Sequence, residues 1–202
     1  MHFDDLTIVI PIKKPRNLDA FISGNKTLLQ SKAPKIIVDS GGGQIFQQAH
    51  ELGFLPLIYE ARDMMLWEAR KWGYSYTVTS LILNLDSDVI PSIEYINEAY
   101  KILEEDKADA ISTHFEPIHT GHLEFGVSMW KTEILKRLYD YPPKPVEKLI
   151  KVGQQEWVTA FQCGFCECSY LWAKLIRSGG RLETLPMRAI HLKKERYKNG
   201  NK

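Results

Sequence analysis

Short runs of β-branched and aliphatic residues alternate with helical segments along the first 110 residues, and this alternation limits the possible folds more than any other feature. The first run, Leu6 to Ile12, is apolar and nearly continuous, as expected of a strand that is buried on both faces. Apolar residues then recur at helical spacing from Leu18 to Leu29, before a second apolar run begins at Lys35. Because this order requires crossover connections, the sequence predicts an α/β fold with a mostly parallel, twisted central sheet flanked by helices.

The same reading continues along the chain. Further strands are predicted at 35–40, 55–60, 81–86, 108–112 and 182–185, and further helices at 44–52, 62–72, 92–104, 131–139 and 167–177. Residues 115–130 are predicted to form a loop and a strand that crosses the carboxyl edge of the sheet. The predicted fold also has a small antiparallel extension. The segment from Tyr139 to Gln162 has no clear pattern.

Length and charge narrow the possible functions. A chain of 202 residues fits one domain, so residues 1–192 are predicted to form a single catalytic domain and the basic residues 193–202 a flexible tail. The 26 Lys and Arg residues nearly balance the 25 Asp and Glu residues, which argues against a nucleic-acid partner. No apolar run reaches the roughly 18 residues that a transmembrane helix needs, so we expect a soluble, cytoplasmic protein.

Acidic residues follow two of the predicted strands. Asp39 ends the second apolar run, and Asp86 and Asp88 end the run that starts at Leu81. Ligands collect at the carboxyl ends of parallel strands, and two carboxylates separated by one residue can hold one divalent cation. A cation with a diphosphate ligand is therefore predicted here, although such acid pairs on protein surfaces are often merely solvated.

Four segments in the first half resemble the family-2 inverting glycosyltransferases, which have the GT-A fold. They are TIVIP at Thr7–Pro11, VDSGG at Val38–Gly42, ARD at Ala61–Asp63, and LDSD at Leu85–Asp88. The second half resembles the family's layout of an acid, a glycine, a proline and a histidine at Glu167, Gly179, Pro186 and His191. The family's second acid is replaced by Cys168, so Glu116, Glu124 and Asp140 are alternative bases.

The resemblance implies a glycosyltransferase that moves a sugar from a UDP- or GDP-sugar to a hydroxyl of a glycan, protein or lipid, with inversion and with Mn²⁺ or Mg²⁺. It implies donor-binding roles for Pro11, Asp39, Arg62 and Asp86, metal-binding roles for Asp88 and His191, and a catalytic-base role for Glu167. Asp39 could instead be a helix-capping residue and Arg62 a solvated arginine.

Three alternatives stay open. An apolar strand followed by DxD also resembles the nucleophile motif of haloacid-dehalogenase-like phosphohydrolases, although that motif usually opens the chain. A GT-A-like module could bind a nucleotide sugar or a glycan without catalysis. Cys163, Cys166 and Cys168 could bind zinc, but an odd cluster without a fourth ligand favours reduced thiols.

Overall fold

The structure is a computed structural model that describes residues 3–12, 17–40, 57–59, 65–116, 123–139, 150–152, 155–157 and 167–192. Its strands are β1 (Leu6–Ile12), β2 (Lys35–Asp39), β3 (Leu57–Tyr59), β4 (Leu81–Leu85), β5 (Val89–Ile90), β6 (Ala110–Ser112), β7 (Phe115–Glu116), β8 (Val127–Lys131), β9 (Ile150–Val152), β10 (Gln155–Trp157), β11 (Leu182–Thr184) and β12 (Ala189–His191). Its helices are α1 (Leu18–Gly24), α2 (Lys26–Leu29), α3 (Leu66–Ser75), α4 (Ile93–Glu104), α5 (Thr132–Leu138) and α6 (Glu167–Arg177).

The central sheet has seven strands in the order β11-β6-β8-β4-β1-β2-β3. All of its strands pair in parallel with one another except β8, which runs antiparallel between β4 and β6. A three-stranded sheet, β5-β12-β7, and a hairpin of β9 and β10 complete the described strands. The predicted fold class, a mostly parallel α/β sheet with a small antiparallel extension, is confirmed.

Two apolar cores lie on opposite faces of this sheet. In β1, Leu6, Ile8 and Ile10 belong to the core that also contains side chains of α1, α2 and α4. Val9, which points the other way, belongs to the core built with α3, α5 and α6. The continuous apolar run in the sequence therefore reflects a strand covered by helices on both faces, where burying each such side chain contributes about 1.5–3 kcal/mol.

Some predicted elements differ in detail. The helical stretch between Leu18 and Leu29 is divided at Asn25, whose buried side-chain amide donates to the carbonyl oxygens of Phe21 and Val89 at 3.0 Å each. The third helix continues to Ser75, because its residues beyond the predicted end at Trp72 still pack against the sheet.

The strand predicted within residues 115–130 lies elsewhere than expected. Instead of crossing the carboxyl edge, β8 lies inside the sheet, where its residue Met129 pairs with both Leu83 and Ile111. Trp130 is fully buried and stacks on Trp172 with ring centroids 4.8 Å apart, so it is a core residue. Within the described residues, no helix is long and apolar enough to cross a membrane.

Several predictions fall on residues outside the described ranges. These are the helix at 44–52, the glycines after Ser40, the tail at 193–202, Arg62, Asp140, Cys163 and Cys166. Cys168 lies within the described residues and is partly buried.

Candidate active site

The DxD segment forms a tight turn at the carboxyl edge of the central sheet. The Asp86 amide donates to the Gly126 carbonyl at 2.8 Å, and the Val89 amide donates to the Asp86 carbonyl at 3.1 Å. The chain thus reverses directly after β4 and enters β5 at Val89. A Cβ on Gly126 would overlap the Asp86 carboxylate, so this glycine leaves room for the first acid of the motif.

Strand pairing brings His191 beside Asp88. Strand β12 runs antiparallel to β5 with His191 opposite Val89, and the Leu192 amide donates to the Asp88 carbonyl at 2.8 Å. His191 Nε2 then lies 3.9 Å from Asp88 Oδ2. Two ligands at this separation can share one divalent cation, since each metal–ligand bond is about 2.1 Å long.

Asp88 and His191 therefore fit a metal site, but they do not complete one. Among the described residues, no group of three or more His, Cys, Asp or Glu side chains is arranged to hold a metal ion. A cation bound by Asp88 and His191 would need further ligands to fill its coordination sphere.

Arg70 joins the two acids that the sequence assigned to different roles. It projects from α3, and its guanidinium donates to Asp86 Oδ1 at 2.5 Å and to Glu167 Oε2. Burial by itself would lower the pKa of Arg70, but the carboxylates of Asp86 and Glu167 raise that pKa well above its usual value. The arginine therefore stays charged, and it fixes the acid at the start of α6 relative to the DxD turn.

Glu167 occupies the first turn of α6 with both carboxylate oxygens engaged. Its Oε2 accepts from Arg70, and its Oε1 accepts from the Tyr139 hydroxyl. The side chain is 15% exposed. Burial raises the pKa of Glu167, while Arg70 and the Tyr139 hydrogen bond lower it and Asp86 raises it further. A carboxylate whose pKa is raised above its ordinary value is a better proton acceptor near neutral pH.

Buried aromatic residues pack against Arg70 and against the end of β4. The Arg70 guanidinium carbon lies 5.1 Å from the centroid of the Phe125 ring, which is fully buried. Asn84, near the end of β4 that faces the site, accepts from the Tyr74 hydroxyl at 2.7 Å and donates to the Phe125 carbonyl at 2.6 Å. These contacts tie α3, β4 and the segment before β8 into one rigid support.

The predicted donor-binding residues lie at the same edge as far as they are described. Asp39 ends β2 and is 1% exposed, and its register partner is Ile12 at the end of β1. Pro11 is buried in β1 opposite Val38. Because β1 lies between β2 and β4, Asp39 and Asp86 end strands that are separated by a single strand. Arg62 lies outside the described residues.

Sequence reasoning missed Arg70 and Tyr139. The chain has two Ala-Arg pairs, Ala61–Arg62 and Ala69–Arg70, and only the first was assigned a role. The second pair lies on the buried face of α3. Burying an arginine costs free energy unless acids face it, so its position on the apolar face of a predicted helix could have indicated a role for Arg70. Tyr139 gave no comparable signal, since an aromatic residue after a helix usually belongs to the core.

Of the three alternative bases, the structure describes the side chain of Glu124. Glu124 is 8% exposed, and the side chain of Glu116 and all of Asp140 lie outside what the structure describes. Cys168, which follows Glu167, packs partly buried against the core formed by α3, α5 and α6. Within the described structure, Arg70 joins Glu167 to the DxD turn.

Comparison with known proteins adds the fold. No family model matches the sequence, and no curated protein sequence matches it. Among solved structures, the chain resembles a mannosyltransferase from Pyrobaculum calidifontis in complex with GDP-mannose and Mn²⁺, with a TM-score of 0.65 and 16% identity. The match covers 96% of this chain and 58% of the mannosyltransferase, so the chain spans a little over half the length of that enzyme. The chain therefore has the fold of a glycosyltransferase.

Proposed function

We propose that this chain is the donor-binding and catalytic part of a metal-dependent glycosyltransferase that uses a nucleoside-diphosphate sugar. The observation that carries the proposal is the arrangement of three acids at one edge of this fold. Asp88 faces His191 at 3.9 Å, and Arg70 connects Asp86 to Glu167. One part of the site can thus hold a cation and a diphosphate, while another presents a carboxylate to an acceptor hydroxyl.

The roles follow from this arrangement. Asp88 and His191 would hold Mn²⁺ or Mg²⁺, which supplies charge neutralisation for the leaving diphosphate. Asp86, fixed by Arg70, would face the ribose or the sugar. Asp39 and Arg62 would contact the nucleotide, with Pro11 supporting them from β1. A GDP-sugar or a UDP-sugar is the proposed donor, and the solved mannosyltransferase favours testing GDP-mannose first.

Glu167 is the proposed base. Its carboxylate removes the proton of the acceptor hydroxyl while the acceptor oxygen bonds to the anomeric carbon and the bond from that carbon to the diphosphate breaks. The proton ends on Glu167, and the nucleoside diphosphate leaves. This single displacement inverts the anomeric centre. Each oxygen of Glu167 accepts one described hydrogen bond and retains capacity for another, so the base can reach an acceptor without breaking its contacts.

Calorimetric titration tests the donor site directly. GDP and UDP are titrated into the wild-type protein, Asp88→Ala and Asp19→Ala, with and without Mn²⁺. We expect Mn²⁺-dependent binding of one nucleotide, a loss of about 100-fold or more in Asp88→Ala, and no change in Asp19→Ala, whose acid is exposed on α1. Equal affinity in Asp88→Ala would remove Asp88 from the metal site.

Glu167→Gln separates catalysis from binding in the same assay. The glutamine side chain keeps hydrogen-bonding atoms but cannot accept the proton, so donor affinity should change by only a few-fold while sugar transfer falls by about 10²–10⁴-fold. Normal transfer by this variant would place the base elsewhere. Nucleotide-sugar binding without transfer in the wild type would support the non-catalytic module, and phosphate release from simple phosphomonoesters would support the phosphohydrolase.

A further inference from the structure

We propose that Tyr139 is a positioning residue that serves both protonation states of Glu167 by turning its one hydroxyl hydrogen between the Glu167 carboxylate and the main-chain carbonyl of Trp67. This inference rests on the proposed role of Glu167 as the base. Tyr139 belongs neither to the DxD segment nor to α6, so neither motif points to it.

The hydroxyl of Tyr139 has more acceptors than hydrogens. Its oxygen lies within hydrogen-bonding distance of Glu167 Oε1 and 3.2 Å from the Trp67 carbonyl oxygen. A phenol has one hydrogen to donate, and its oxygen can also accept. Tyr139 can therefore donate to Glu167 or to Trp67, but not fully to both. An ionised carboxylate is the stronger acceptor, so the hydrogen points to Glu167 while Glu167 is charged.

The preference reverses when Glu167 takes a proton from the acceptor. Once the carboxyl O–H at Oε1 has rotated about its C–O bond to face the phenol, Glu167 is the donor, and the phenol oxygen becomes the acceptor of that hydrogen bond. The Tyr139 hydrogen then turns to the Trp67 carbonyl, which can accept it. No proton is lost or gained by Tyr139, and the O–H bond of the phenol never breaks. Each state of Glu167 thus keeps a complete hydrogen bond to Tyr139.

The surroundings hold the ring still while the hydrogen turns. Tyr139 is 7% exposed, and its ring lies edge-on to Tyr74 at 5.0 Å and nearly parallel to Phe125 at 6.1 Å between centroids. Its amide donates to the Leu135 carbonyl at 2.8 Å, which fixes the backbone at the end of α5. Within Tyr139, only rotation about the bond between the ring and the hydroxyl oxygen is needed.

Burial and the neighbouring Glu167 carboxylate keep the phenol neutral. Burial raises the pKa of Tyr139 well above its usual value, and the Glu167 carboxylate raises it further. Among the described residues, the other titratable or charged groups that interact with Glu167 are Arg70, which bonds to Oε2, the carboxylate of Asp86, and the buried phenol of Tyr74. Arg70 holds the oxygen that Tyr139 does not contact, so the two residues position opposite sides of the base.

The first test is the pH dependence of sugar transfer by Tyr139→Phe. Phenylalanine keeps the ring but removes the hydrogen bond from both protonation states of Glu167. Because the bond to the charged carboxylate is about twice as strong as a neutral one, the acidic limb of kcat/KM should move to higher pH by the difference, about half a unit to one unit. Tyr95→Phe is the matched control, because Tyr95 donates to the carbonyls of Ile111 and Val127, away from the site. Its limb should coincide with that of the wild type, and an unshifted limb in Tyr139→Phe would overturn the proposal.

The second test needs neither activity nor a variant that folds. In ¹³C-labelled wild-type protein, the Glu167 carboxyl resonance and the Trp67 carbonyl resonance are followed by NMR as the pH is lowered. The proposal expects the Trp67 carbonyl to shift downfield with the midpoint of Glu167, because it gains a hydrogen bond. A Trp67 resonance that ignores the titration of Glu167 overturns the proposal. If the two resonances move together but no sugar is transferred, the hydrogen bond responds as proposed and the glycosyltransferase function is wrong.

Discussion

At the scale of single residues, the site depends on one buried arginine, Arg70, which lies between Asp86 and Glu167. The Arg70 side chain is 4% exposed, and the Asp86 and Glu167 side chains are 22% and 15% exposed. Taking three charges out of water is costly, and the cost is offset only while each charge keeps its partner. The planar guanidinium can direct separate N–H groups at both carboxylates, which a single ammonium group does less well.

We therefore expect Arg70→Lys to weaken both stability and catalysis. The shorter, single-point donor cannot hold Asp86 and Glu167 together, so the free energy of unfolding should fall by about 2–4 kcal/mol and sugar transfer by at least about tenfold. Denaturant unfolding and initial transfer rates measure the two effects. Arg181→Lys is the matched control, since Arg181 also bridges two acids but its side chain is 48% exposed. Equal effects in both variants would show that Arg70 has no special role at the site.

At the scale of elements, two close approaches set the geometry of the site. In α3, a Cβ on Gly73 would lie 2.5 Å from a methyl group of Val9, so glycine lets the helix pack tightly on β1 and aim Arg70 over the sheet edge. Just before β8, the missing side chain of Gly126 likewise leaves room for the Asp86 carboxylate. The sequence predicted strands and helices here from periodicity, but an apolar run such as Val127–Lys131 gives no direction or pairing partner. Its antiparallel place inside the sheet could not be predicted.

On the side of β8 away from β4, a cluster of charged residues holds β6 and β11 to β8. Asp109 accepts from the Arg181 amide at 2.8 Å, from the Arg181 guanidinium at 3.0 Å, and from Lys131 at 2.9 Å. These bonds connect the starts of β6 and β11 to the end of β8. The hydrogen bonds from Arg181 lower the pKa of Asp109 far below its usual value, even though burial opposes the shift.

Asp109→Asn should consequently destabilise the fold without touching the site. We expect a loss of about 1–3 kcal/mol at pH 7 by denaturant unfolding, with donor binding unchanged. Because the folded-state pKa of Asp109 is lowered, its contribution is fully present above its unfolded pKa of about 3.9 and is lost as the pH falls toward the folded value. The difference between wild type and variant should therefore shrink below about pH 4.

Asp106→Asn provides the control for this cluster. Asp106 bonds to the same Lys131 and Arg181, but its side chain is 74% exposed, so water screens those ion pairs. It also has a positive φ of 56°, which asparagine tolerates. The free energy of unfolding should change much less in Asp106→Asn than in Asp109→Asn. A loss as large in Asp106→Asn would show that exposed charge, rather than the buried bonds of Asp109, holds these strands.

At the scale of the whole molecule, local patterns predicted where strands end, and long-range pairing determined which side chains meet. Asp39, Asp86 and Asp88 could be placed at one edge from sequence because each follows an apolar run. The contact of Arg70 with Glu167 joins residues 97 positions apart, and that of Tyr139 with Glu167 joins residues 28 apart. Such contacts depend on how helices cross the sheet, and a single sequence does not record those angles.

The last described strand shows how far apart in sequence the parts of the site lie. Strand β12 pairs with β5 on one side and β7 on the other, which carries His191 back to the DxD turn. The Leu192 amide adds a bond to the Asp88 carbonyl at 2.8 Å. Asp88 and His191 therefore meet only when β12 pairs between β5 and β7, so the metal binding proposed for these two residues should be thermodynamically linked to the pairing of this strand.

Two truncations test that linkage and the predicted extent of the domain. A variant ending at residue 192 keeps β12 and should match the full chain in thermal unfolding and in Mn²⁺-dependent nucleotide binding. A variant ending at Arg188 loses His191 and the hydrogen bonds of β12, each worth about 1 kcal/mol, so it should melt earlier and bind nucleotide about 100-fold more weakly. Lost binding in the longer variant would place an essential part of the site after residue 192. Retained Mn²⁺-dependent binding in the shorter one would exclude His191 as a metal ligand, because the nucleotide site would then form without the strand that carries it.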